Sequence, residues 1–186
     1  MLVSAQGTTS AGQRSSHDNV LVSAQAITMK RWSRLRKQEK QQRKQTDLLD
    51  AVQNNDARQV FKLLRQGVSA DAGVDSCSFS PSALAAACRL SNIEMAQMLL
   101  RHGADVNAGL TAVSRCGVTS PTVAAIDGGS VDVLLLLFTY RASPHMTFQC
   151  NQVNAKVTLL QYACIRGNQA FIRPLVNSGC DVEAES

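Results

Sequence analysis

The chain has 186 residues, is 45% hydrophobic but only 4% aromatic, and carries a net charge of +5. That length allows one domain with tails, and so few aromatics suit a helical core of Leu, Ala, Val and Met better than a sandwich of sheets. No apolar run approaches the ~20 residues that cross a bilayer, and no basic start followed by an apolar block marks a secretory leader.

Residues 1–28 are rich in Ser, Gln, Ala, Gly and Thr, nearly uncharged and without periodicity, and they read as a disordered tail. Residues 29–45 read as a basic helical segment, since they lack Gly and Pro and consist largely of strong helix formers. Lys30, Arg31, Arg34, Arg36, Lys37, Lys40, Arg43 and Lys44 stand there against the single acid Glu39, giving +7. Residues 46–186 hold ten basic and twelve acidic groups, giving −2, so the basic character belongs to one segment. Trp32 and Leu35 share one side of that helix. Three readings stay open: an N-terminal cap packed near Phe61, a nuclear-localisation or nucleic-acid arm, or a surface for anionic lipid with a thin apolar face.

From residue 46 one pattern returns at intervals of 36, 38 and 38 residues. Thr46, Ser82, Ser120 and Thr158 are hydroxyls, and ten residues later Asp56, Asn92, Ser130 and Asn168 are again short and polar. Such residues cap helix N-termini by accepting hydrogen bonds from unpaired N–H groups. Eleven further on, Gly67, Gly103, Arg141 and Gly179 stand where a helix ends in a left-handed residue. Each unit therefore reads as helix, tight turn, helix and an extended loop, over about 46–72, 80–108, 118–146 and 156–184. A recurring alanine (Ala51, Ala87, Ala125, Ala163) lets the helices approach closely, and a recurring leucine (Leu63, Leu99, Leu137, Leu175) marks the buried stripe. The connectors grow, with eleven residues between Ala108 and Ser120, and insertions of this kind collect on one face of a repeat array.

The six cysteines form no C-x-x-C pair and only three histidines accompany them. They are expected to be free thiols in a reducing compartment, cytoplasmic and/or nuclear, rather than a zinc site built from Cys77, Cys116 and Cys150. No phosphate loop, His-x-x-x-His or nucleophile elbow is present, and Asp47, Asp50, Asp56 and Asp105 fall in caps and turns. No catalytic residue, cofactor or metal site is expected.

The run Met98 to Ala108, ending Gly103-Ala104-Asp105-Val106-Asn107-Ala108, and the openings Ser120-Pro121-Thr122-Val123-Ala124-Ala125 and Thr158-Leu159-Leu160-Gln161-Tyr162-Ala163 resemble the ankyrin-repeat family. The resemblance covers residues 46–184. It implies an all-α solenoid of about four helix-turn-helix units with hairpin-like finger loops. The chain departs from the family pattern in three places. Leu49, Ala85, Val123 and Gln161 stand where the family has a loop-tying histidine, Arg141 replaces a glycine, and Pro174 falls inside the last helix, where it should cost about 3 kcal/mol or bend it.

The resemblance further implies protein partners, held by the finger tips and the concave face of the first helices. By register the contact positions are Gln53, Asn54 and Gln66, then Arg89, Leu90 and His102, then Asp127, Gly128 and Tyr140, then Ile165, Arg166 and Ser178. Arg89, Leu90, His102, Asp127, Tyr140, Ile165 and Arg166 are the candidate partner-binding set, with Leu110, Val113, Arg115 and Phe148 in the fingers. Asn107 lies in a Leu-x5-Asp-Val-Asn sequence of the kind an asparagine hydroxylase modifies, against the plainer and favoured reading that its short polar side chain only hydrogen-bonds the turn. A non-enzymatic adaptor or scaffold follows as the leading expectation. Its rivals are a regulatory fragment or isoform of a larger enzyme or channel, and a nuclear regulator whose basic arm binds nucleic acid. Nucleic acid or anionic membrane would be reached only through residues 29–45. Leu159, Leu160, Tyr162, Phe171, Ile172, Leu175 and Val176 make the fourth unit's outer surface look too apolar to stand uncovered.

Overall fold

The computed structural model describes residues 11–71, 81–109, 120–150 and 152–180, with the side chains of residues 11–28 and of Lys30 outside that description. The chain divides into two units, residues 1–42 and 43–186. Helix α1 runs from Ala11 to Gln53. This corrects two expectations. Residues 11–28 are helix rather than disordered tail, and the first ten residues lie outside the description. Thr46 sits within α1 instead of capping a new helix, and its hydroxyl donates to the Arg43 carbonyl at 2.7 Å. The reason is local: no Gly or Pro interrupts residues 13–53, so nothing stops the helix before Asn54.

In the unit 43–186, the end of α1 supplies the first helix of the first repeat, with Leu48, Ala51 and Val52 buried. Helices α2 (Ala57–Arg65), α3 (Ala83–Arg89), α4 (Ile93–Arg101), α5 (Pro121–Gly128), α6 (Val131–Thr139) and α7 (Leu159–Ile165) follow. First helices pack on first helices, α3 on α5 and α5 on α7, while α2, α4 and α6 pack in a parallel row. Asp56, Ser82, Asn92, Ser120, Ser130 and Thr158 accept from the backbone N–H three residues on, as their residue types predict. Thr158 and Gln161 complete a reciprocal capping box.

The recurring alanine and leucine have a second use. The carbonyls of Ala51, Ala87, Ala125 and Ala163 accept the N–H five residues on, and those of Leu63, Leu99, Leu137 and Leu175 do the same, at 2.9–3.3 Å. These bonds close each helix end around a left-handed residue. Asn55, Ser91, Gly129 and Gly167 take that conformation after the first helices, and Gly67, Gly103, Arg141 and Gly179 after the second, with φ from 56° to 85°. Arg141 holds φ 65° although it carries a Cβ, a strain of about 1–2 kcal/mol.

The fourth repeat resolves its proline differently from the expected kink. Residues Gln169–Phe171 form a 3₁₀ turn, and α8 starts afresh at Ile172 and ends at Asn177. Pro174 thus lies in the first turn of α8, where its missing N–H has no partner to lose. A helix capped at Asn168 would have put it mid-helix, so Asn168 does not cap. Its side-chain amide instead donates to the Ile126 carbonyl of the preceding repeat at 3.0 Å.

The uncovered apolar surface expected of this repeat is mostly absent. Leu159, Tyr162, Phe171 and Leu175 are buried and Leu160 and Ile172 half-buried, leaving Val176 exposed at 44%. The finger between the third and fourth repeats is an antiparallel hairpin of β1 (Thr147–Cys150) and β2 (Ala155–Thr158), paired Thr147 to Thr158 through Cys150 to Ala155. At its base the buried Met146 sulfur accepts from Thr122 Oγ1 at 2.9 Å and Ser120 Oγ at 3.6 Å. That contact ties the finger to α5 where Val123 replaces the family's histidine. The other fingers, with Leu110, Val113 and Arg115, lie outside the described residues.

Candidate partner-binding face

The ends of the first helices are fixed to one another by polar contacts between repeats. Ser91 Oγ donates to the Gly128 carbonyl at 2.8 Å, and Asn92 Nδ2 to Asn55 Oδ1 at 2.5 Å. A Cβ on Gly128 would lie 2.7 Å from the Arg89 carbonyl oxygen and 2.8 Å from that of Cys88. Gly128 is therefore a packing position between α3 and α5, not the variable contact residue its register suggested. The close approach places the end of α3, with Arg89 and Leu90, directly against the end of α5.

Between α5 and α7 the join is electrostatic. Asp127 Oδ1 accepts from the Tyr162 hydroxyl at 2.6 Å and pairs with Arg166 Nε at 3.2 Å. Removal of Tyr162 from water raises its phenol pKa well above the usual tyrosine range, and the Asp127 hydrogen bond raises it further, so the phenol stays a proton donor. Phe148 of the hairpin meets the Tyr162 ring edge-on, centroids 5.2 Å apart. Asp127 is thus held by two partners and in turn holds Arg166. This is the only ion pair among the described residues.

Of the candidate residues, Asp127 and Arg166 are brought into direct contact, and Arg89 meets Gly128 through its backbone. Leu90 and Ile165 cap or end the same row of helices and are exposed at 47% and 39%. His102 and Tyr140 belong elsewhere, as the C-caps of α4 and α6 at the foot of the fingers, exposed and half-buried respectively. Sequence reasoning missed Tyr162 as a site residue. The available signal was that a buried tyrosine needs a partner for its hydroxyl. Asn107 is half-buried, and its Oδ1 accepts the Ser143 N–H at 2.9 Å, so its side chain joins the second finger base to the third.

Arg31, Arg34, Arg36, Lys37, Lys40 and Arg43 of α1 are exposed and Lys44 half-buried, while the Lys30 side chain lies outside the described residues. Trp32 is exposed at 61%, with Leu35 also exposed. Among the described residues no group of His, Cys, Asp and Glu could hold a metal, and no helix is long and apolar enough to cross a membrane. The cysteines Cys88, Cys150, Cys164 and Cys180 are free thiols. Burial pushes the Cys88 thiol up to about 12 and raises that of Cys180.

A family model described as ankyrin repeats (3 copies) matches residues 48–147, whereas comparison with curated proteins finds no match. The matched span is 100 of 186 residues and takes in α2 to α6; the fourth repeat lies beyond it and shows its kinship by geometry, through the same left-handed turns and the same alanine and leucine closures. On the sequence match and the stacked helical pairs together, the chain belongs to the ankyrin-repeat family.

Proposed function

We propose that the chain is a non-catalytic adaptor or scaffold, cytoplasmic and/or nuclear, that holds a protein partner on the row formed by the ends of α3, α5 and α7. Ankyrin repeats are generally protein–protein interaction modules. The observation that carries the assignment to this face is the Tyr162–Asp127–Arg166 network beside exposed Leu90 and Ile165. Fixed polar groups beside solvent-facing aliphatic side chains are the makings of an interface anchor, because little ordering remains to be done on binding. The test is cross-linking in cell extract with the full chain, comparing Leu90→Asp/Ile165→Asp with Leu135→Asp, an exposed residue of α6. Partners lost with both variants alike would sink the assignment to this face.

A second reading is favoured by the row of exposed cations on α1, which carries +7 over residues 29–45. It makes the chain a nuclear regulator whose basic arm contacts nucleic acid. Such binding weakens steeply with salt. If deleting residues 29–45 leaves nucleic-acid binding unchanged, this reading falls.

A further inference from the structure

We infer that the row formed by α3, α5 and α7 takes an acidic, extended peptide segment with apolar side chains beside its carboxylates. The inference rests on the reading that this row is the partner face, and adds the chemistry of the partner. Four side chains define it: Arg89 and Arg166 at either end, each followed or preceded in sequence by an exposed aliphatic, Leu90 and Ile165.

The charge on this row is cationic in effect. Asp127 is the acid on it, and its carboxylate is already occupied by the Tyr162 hydroxyl and by Arg166 Nε. That bond uses Arg166 sideways. The guanidinium has five N–H donors, so its terminal nitrogens stay open to an incoming carboxylate, and a guanidinium fixed by one partner loses less freedom on meeting a second. Arg89 makes no ion pair among the described residues, and its backbone is pinned against Gly128. A basic or neutral segment would leave Arg89 unanswered and the open terminal nitrogens of Arg166 unused. An acid alone would leave Leu90 and Ile165 in water.

Packed helices lie ~8–10 Å apart and an extended chain rises ~3.3 Å per residue, so an extended segment of a few residues crosses from one helix of the row to the next. A helical segment would need about twice as many residues for the same reach.

The experiment is selection of a random 12-residue phage library on the full chain, followed by fluorescence titration of the selected peptides. Three variants are compared: Arg89→Gln/Arg166→Gln, Asp127→Asn, and a chain with the eight cations of residues 29–45 replaced by Gln. The inference expects peptides enriched in Asp or Glu beside apolar residues. It expects the double arginine variant to bind about a hundredfold more weakly, about tenfold for each charge-assisted hydrogen bond lost. Asp127→Asn should also weaken binding although it removes a negative charge, because Arg166 loses its tether; tighter binding would refute that positioning. The preference must survive in the chain whose basic helix is neutralised; if it vanishes there, α1 was its source and the inference is overturned. Peptides selected without acid enrichment, or bound equally by the double arginine variant, overturn the acidic partner and leave the partner face standing. If no peptide binds above background, both fall.

Discussion

Gly128 and Gly129 are adjacent in sequence, yet the structure requires each for a different reason, and the difference is measurable. Gly129 has φ 78° and open space around its missing Cβ; Gly128 has ordinary helical backbone and no space at all. In Gly128→Ala the new methyl would meet the Arg89 and Cys88 carbonyl oxygens at 2.7 and 2.8 Å, against ordinary contacts of 3.4 Å or more. Relief requires α3 and α5 to part by more than half an ångström, since both sides are backbone. Overpacking of this kind costs about 1–3 kcal/mol. The opening also weakens the Ser91–Gly128 hydrogen bond, worth about 1 kcal/mol. Alanine returns about 0.5–1 kcal/mol by its better helix propensity. The net loss is about 2 kcal/mol, or roughly 4–8 °C in Tm at this chain length. Gly129→Ala should cost about 1 kcal/mol through its φ alone, and Gly129→Asn less, because Asn tolerates that region. Denaturant midpoints of the full chain measure all three. Adding Ser91→Ala to Gly128→Ala should cost little more, since the bond is already strained. If Gly128→Ala were neutral, or milder than Gly129→Ala, close backbone approach would not set the spacing of these repeats.

Arg141→Gly should stabilise by about 0.5–1 kcal/mol, since relief of the left-handed strain exceeds the added freedom of the unfolded chain; a lowered Tm would contradict the strain. Asn107→Ala should destabilise by about 1–2 kcal/mol by leaving the Ser143 N–H without its acceptor, read in the same denaturation series. Hydroxylation at Asn107 should add 16 Da to its peptide in cells with an active asparagine hydroxylase, and its absence there would remove that proposal. Iodoacetamide at pH 8 should label exposed Cys164 well before Cys88 and Cys180, as peptide mass spectrometry will show. The same raised thiol fixes the sign of an alkaline effect. Cys88 stays protonated in the native chain up to about 12 but ionises from 9.0 when unfolded, so its stabilisation is full below pH 9 and declines as pH rises from there to about 12. Cys88→Ala should flatten that decline in a series of melts; an unchanged slope would assign it elsewhere.

The sequence by itself determined the repeat. Its period, six of the eight helix caps, the buried alanine and leucine stripes and the left-handed Arg141 are local properties, each decided by a residue and its near neighbours. The two failed caps failed for local reasons too: an uninterrupted helix absorbs Thr46, and Pro174 forces the last helix to start late. What only the tertiary structure decided lies between repeats. Asp127 meets Tyr162 and Arg166 across 35 and 39 residues, Gly128 meets Arg89 across 39, and Met146 meets Thr122 across 24. Those contacts depend on how far each helix pair slides and turns on the one before it. That offset is the sum of many side-chain volumes along the stack, and no single position in the chain records it.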